Sequence, residues 1–195
     1  MAGPCASVFV ACAVDALEAV RHRFLSQVSN SQQDNDFWVS DTTPIGGSHK
    51  GEGRPFCWRQ SERQEWEDEP NEYEQRQIGN LLGAPPRSQL SFCAMCNDDC
   101  DHRVLGELCI SMARELNGIV RFDGLLTTCQ TVEEVRLWRE LSAEEHCKRF
   151  MAEVGNGGGR LTAFGLDPED SPSCHYGDAR FLKHWLGHPK FRMVK

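Results

Sequence analysis

The sequence predicts an α+β fold, with a mainly antiparallel sheet and helices packed on one face. Three observations predict it. Short apolar or alternating runs such as Ser7–Val14 and Ser88–Met95 are interleaved with segments of helical periodicity. Strand-helix-strand order appears from Ser7 to Trp58 and again from Ser88 to Phe122, with no residue-level repeat beneath it. The chain has 195 residues, 39% hydrophobic and 26% charged, which suits one ordinary globular domain over 1–195 with an acidic exposed segment at about 61–77.

Taken in order, Ser7–Val14 reads as a buried strand, and Asp15 opens a helix over Ala16–Gln27 with Leu17, Val20, Phe24 and Val28 at helical spacing. Ser29–Asp36 reads as a polar loop. Phe37–Val39 and Pro55–Trp58 read as strands joined by the Gly-rich connection Pro44–Gly53. Ser88–Met95 places Leu90, Phe92 and Ala94 on one face of a strand. The clearest helix is Asp101–Asn117, whose apolar stripe runs through Val104, Leu105, Leu108, Met112 and Leu116, with Asn117-Gly118 as its stop and a strand over Ile119–Phe122.

Thr131 with Glu134, and Ser142 with Glu145, are capping boxes that predict two consecutive helices with a break near Ser142. Gly155–Gly159 ends the second helix, and Gly155–Arg160 is a flexible connector. It lacks the Gly-Lys-Ser/Thr ending of a phosphate loop and leads into a strand, Leu161–Leu166. A short helix over Asp178–Leu186 and a last strand over Phe191–Val194 complete the prediction.

Composition narrows the function. A net charge of -8 argues against a nucleic-acid binder, which needs a basic surface, and suits a basic partner or plain solubility. No apolar run reaches the roughly 20 residues of a membrane span. The first fifteen residues have no basic n-region, so the expected location is the cytoplasm and the ten cysteines are expected to be reduced. Cys12, Cys57, Cys93, Cys109 and Cys129 sit among apolar neighbours and are expected to pack as small hydrophobes.

Two clusters carry metal-type residues. Cys93, Cys96, Cys100 and His102 have the ligand count for zinc. Their spacing is compressed, and Asn97, Asp98, Asp99 and Asp101 are turn and N-cap residues, which favours a strand end running into a helix start. Cys174, His175, His184 and His188 form the other. Trp185 stands where a metalloprotease helix needs glutamate, and Pro189 ends the helix. The expectation is no catalytic residue, no metal and no cofactor. The alternative is a zinc-binding scaffold, or a metal- or cysteine-dependent enzyme using the Cys93–His102 cluster.

The acidic stretch is the remaining feature. Residues 62–76 hold seven acids against two arginines, with Trp66 and Tyr73 among them. A charge run is usually a solvated face, but aromatics among acids resemble an interface hot spot. Glu65, Trp66, Glu67, Asp68, Glu69, Glu72, Tyr73 and Glu74 are the expected partner-binding residues.

Asp101–Leu108, Gly118–Leu125 and Tyr176–Lys195 together resemble a family of small bacterial proteins of about this length. In general style that family is similar to immunity proteins encoded beside polymorphic or contact-delivered toxins. The resemblance covers mainly residues 101–195, and its motifs are structural. It implies a rigid domain that neutralises a cognate protein toxin by binding. A basic toxin would be drawn to an acidic inhibitor and associate quickly. No nucleic acid or membrane is expected as a partner.

Overall fold

A computed structural model describes residues 3–63, 72–122, 124–129, 131–164 and 174–193. The order of elements is β1 (Cys5–Val10), α1 (Val14–Val28), β2 (Ser29–Gln33), β3 (Asp36–Asp41), a 3-10 turn (Thr43–Ile45), β4 (Lys50–Glu62), α2 (Glu72–Leu82), β5 (Ser88–Ala94), α3 (Asp99–Glu115), β6 (Ile119–Phe122), α4 (Val132–Arg139), α5 (Ala143–Val154), β7 (Leu161–Phe164), β8 (Cys174–Asp178) and α6 (Ala179–Leu186). Among the described residues eight strands form one sheet in the order β2-β3-β4-β5-β1-β6-β8-β7, and every neighbouring pair is antiparallel. The α+β class is as the sequence predicts. Among the described residues no helix is long and apolar enough to cross a membrane.

Strand alternation sorts the side chains. The inner face presents Val8 and Val10 of β1, Phe56 and Trp58 of β4, Leu90 and Phe92 of β5, and Val120 and Phe122 of β6. They pack against Leu17 and Phe24 of α1, Leu105 and Leu108 of α3, Phe150 of α5, and Phe181 and Trp185 of α6. Phe92 sits at the middle of this core, its ring 4.9 Å from Trp58 and 6.0 Å from Phe24. Each such buried aromatic withdraws a large apolar area from water, and edge-to-face geometry adds to that.

The outer face is divided. Phe9, Ile119, Phe164 and Tyr176 form a second, smaller core closed by Ile78 of α2, with Tyr73, Leu81 and Leu82 packed at its margin. Farther along, the outward positions of β5 and β1 are half-buried: Gln89, Ser91 and Cys93, with Cys5 and Ser7. A small polar net joins them, since Ser7 and Ser91 share a 2.7 Å hydrogen bond and Gln89 Nε2 donates to both hydroxyls.

Helix starts follow the local chemistry. The Thr131 and Ser142 boxes form as predicted, and a third forms where the Asp98 carboxylate accepts from Asp101 N while Asp101 accepts from Asp98 N. Such caps satisfy backbone donors that the first helical turn leaves without partners.

Several segments differ from the sequence reading: β4 extends over Lys50–Glu62 where the sequence predicts only Pro55–Trp58, Glu72–Leu82 forms α2 where the sequence predicts an exposed segment, and three others differ in kind. Ser29–Gln33 is not a loop but the edge strand β2, paired with β3 through a turn in which Asp34 takes φ 54°. An edge strand with solvent on most sides needs no apolar alternation, so its sequence looks like a loop. Phe191–Met193 is not a strand. Phe191 and Met193 are buried as expected of apolar residues, but Met193 N donates to His102 Nδ1 and Trp185 Nε1 donates to the Arg192 carbonyl, so the backbone bonds go to side chains. Cys174–Asp178, of which the sequence assigns only Asp178 and that to the following helix, is β8, wedged between β6 and β7.

Candidate functional site

The acid-rich segment leads into α2. Glu65, Trp66, Glu67, Asp68 and Glu69 lie outside the described residues. Of the other expected docking residues, Glu72 is exposed at the first turn of α2, where an acid suits the helix dipole. Tyr73 turns inward, half-buried, with its ring edge-on to Phe164 at 6.4 Å. Glu74 accepts a 2.5 Å hydrogen bond from the hydroxyl of buried Tyr176, whose ionisation burial pushes well above the usual phenol value. Ile78 is fully buried. The inward stripe thus clamps α2 to the sheet, and an open groove of about 570 Å³, lined by Arg63, Glu72, Gln75, Arg76, Gly79 and Pro86, lies along its outward side.

The Cys93–His102 stretch does not gather. Cys93 is on the outer face of β5 and is disulfide-bonded to Cys5 of β1, so the thiols are not all reduced. Cys96 is exposed in the turn after the strand. Cys100, in the first turn of α3, places its Sγ 3.4 Å from His49 Nδ1. His102 holds Asn97 Oδ1 at 3.1 Å through Nε2 and accepts from Met193 N through Nδ1, so both ring nitrogens are engaged in tying the chain together. Among the described residues no group of three or more Cys, His, Asp or Glu side chains is placed to hold a metal ion. The second sequence cluster also disperses. His184 Nε2 donates to the Val154 carbonyl at 2.8 Å, His188 stacks on Trp185 at 5.1 Å, and Cys174 and His175 point to opposite faces of β8.

Two polar arrangements were invisible in the sequence. The first surrounds Glu107 of α3, nearly buried beneath the β3–β4 connection. Its Oε2 accepts from Thr42 Oγ1 at 2.5 Å, and its Oε1 accepts from Ser48 N at 2.8 Å and Ser48 Oγ at 2.7 Å. Gly47 allows this approach, since a Cβ there would lie 2.5 Å from Oε2. The second is a pair of buried histidines. His175 of β8 accepts at Nδ1 from Leu126 N at 2.8 Å, so the neutral ring carries its proton on Nε2, which has no partner among the described residues. The His146 ring of α5 lies 4.9 Å away with Nδ1 likewise unpartnered. Trp138 meets His146 edge-on at 4.8 Å, and Arg149 sits over that indole. Burial pushes His146 down to about 4, with Arg149 adding to the effect. Burial, and then His146, push His175 well below its ordinary value.

Four of the free thiols, Cys12, Cys100, Cys109 and Cys147, lean toward the inert form. Burial raises Cys12, Cys100 and Cys109, and pushes Cys147 up to about 12. At Cys100 the nearby carboxylates Asp98, Asp101 and Glu107 also disfavour a thiolate, against Arg54. A catalytic cysteine needs the opposite environment.

A single antiparallel sheet with helices packed against it defines an α+β protein. The chain belongs to a family of unknown function (DUF6368), whose sequence model matches residues 2–195. No curated protein and no solved structure matches it.

Proposed function

We propose that the protein neutralises a cognate bacterial toxin by binding it, as an immunity-type protein, with the acid-rich segment and the outward side of α2 as the docking surface. The observation that carries this reading is the clamping of α2. Tyr73, Glu74 and Ile78 are committed to the sheet, so Glu72 and the adjoining groove are held in place, and that part of the surface loses little ordering entropy on docking. The net charge of -8 suits a basic partner and favours fast, salt-sensitive association.

Two features weigh in favour of binding over catalysis. The raised thiols do not suit nucleophilic chemistry. The Cys93, Cys96, Cys100 and His102 side chains take separate partners. The expected location is the cytoplasm, where such a toxin would be met.

Co-expression with the toxic product of an adjacent reading frame tests the proposal. The protein should restore growth. Reversal of Glu65, Glu67, Asp68 and Glu69 to lysine should slow association at low salt by about tenfold or more. Absence of rescue by the wild-type chain overturns the functional reading, and unchanged association of the reversed variant overturns the surface.

A further inference from the structure

The register of the three central strands places Cys57, Cys93 and Cys5 in one row across the sheet. Cys93 of β5 is directly opposite Cys5 of β1 and also directly opposite Cys57 of β4. Directly opposed residues of an antiparallel pair project to the same face, with Cβ atoms about 4.5–5.5 Å apart. All three cysteines are half-buried on the outer face, and none belongs to the hydrophobic core. Cys5 and Cys93 are bonded, with Cα atoms 4.2 Å apart, while Cys57 is a free thiol.

We propose that this row is a thiol–disulfide exchange site in which Cys93 is the shared sulfur, open to disulfides of low molecular weight. The strand order supplies the geometry. Displacement at sulfur runs through a mixed arrangement with the attacking and leaving sulfurs on opposite sides of the one attacked. β5 lies between β4 and β1, so Cys57 and Cys5 flank Cys93 in that sense. The Cys57 thiolate attacks Cys93 Sγ, and a Cys57–Cys93 bond forms as the Cys93–Cys5 bond breaks. Cys5 leaves as the thiolate and takes up the proton that Cys57 released. No net electrons are transferred.

The row also has a defined way to load. From the three thiols, a small disulfide accepts two electrons. A Cys93 mixed disulfide forms as the first small thiol leaves, and either neighbour then displaces the second. The products are one protein disulfide and two small thiols. The surroundings suit access. The residues next along β1 and β5 are Ser7 and Ser91, which are small and hydrogen-bonded to each other. The outer-face residue that α2 covers on β1 is Phe9, four positions from Cys5 and so about 13 Å along the strand.

Disulfide mapping of the full chain tests this directly. The protein is equilibrated with reduced and oxidised glutathione, quenched in acid, alkylated and digested without reduction. Wild-type protein should yield both Cys5–Cys93 and Cys57–Cys93 peptides. Cys5→Ser should retain Cys57–Cys93, Cys57→Ser should retain Cys5–Cys93, and Cys93→Ser should yield neither. Cys57→Ser should also reach equilibrium with glutathione at least tenfold more slowly. Wild-type protein that yields Cys5–Cys93 alone overturns the proposal without any variant. So does a Cys5→Ser chain that keeps its circular dichroism spectrum while Cys57 and Cys93 remain reduced.

Discussion

Lowering the pH should weaken the fold through the His146–His175 pair. Both rings are buried and neutral, and their pKa values are depressed. In the unfolded chain a histidine titrates near the ordinary value of 6.5. The unfolded state therefore gains protons as the pH falls below that value, while folded His146 resists until about 4. The stabilisation is complete above pH 6.5 and is lost progressively between 6.5 and 4. Between pH 7.5 and pH 5 the His146 difference alone corresponds to about 2 kcal/mol before screening, and to about 1–2 kcal/mol once solvent screening at the edge of the cluster is allowed for. His175 adds to this in the same direction, because protonation at Nδ1 would also expel the Leu126 N–H bond. The groups facing the pair are Arg149, which opposes a second positive charge, and the apolar rings of Trp138 and Phe150. Urea titration followed by tryptophan fluorescence reads the effect. His146→Gln should lose about 1–2 kcal/mol less than wild type on going from pH 7.5 to pH 5. Parallel losses in the two proteins would refute the assignment of acid sensitivity to this pair.

Two further perturbations test the packing. Glu107→Ala removes the acceptor for Thr42 Oγ1 and for Ser48 N and Oγ; it should cost about 2–4 kcal/mol, and Glu107→Gln less than half of that, by the urea midpoint. Gly118→Ala would place a Cβ 2.8 Å from the Phe9 carbonyl and 2.7 Å from Val8 Cγ1, forcing β1 to shift. It should cost about 2–3 kcal/mol, whereas Gly51→Ala, with open space around it, should leave the melting temperature almost unchanged.

The legible parts of the sequence were those governed by local rules. The α3 stripe, the boxes at Thr131 and Ser142, and the alternation of Leu90, Phe92 and Ala94 each encode their structure within a few residues. β2 escaped because an edge strand requires no apolar side. β8 escaped because five residues with a glycine carry too short a pattern. Phe191–Met193 misled because burial there is served by α3 and α6 and not by a strand partner. Site residues were harder still. Cys93 meets Cys5 across a sequence separation of 88, and His49 reaches Cys100 across 51. Strand register brings the first pair together, and the seating of the β3–β4 connection against the start of α3 brings the second. Tyr73, expected as an exposed anchor, is half-spent on Phe164, because α2 needs an aromatic to seat its first turn on the sheet.

The position of β1 has a consequence for synthesis. β5 meets the β6 half of the sheet only through β1, which bridges β2-β3-β4-β5 to β6-β8-β7. Val8 pairs with Leu90 on one side and Val120 on the other, yet it leaves the ribosome well before either. At ordinary elongation rates its second partner follows on the order of 5–20 s later. Until β5 emerges Val8, Phe9 and Val10 wait without either neighbouring strand, and until β6 emerges they have only one; α1, the next element along the chain, can shelter one of their faces meanwhile. The join between the two halves thus closes long after β1 is made, with only β8 and β7 still to be added to β6, and a nascent-chain chaperone that binds short apolar segments has an opportunity there.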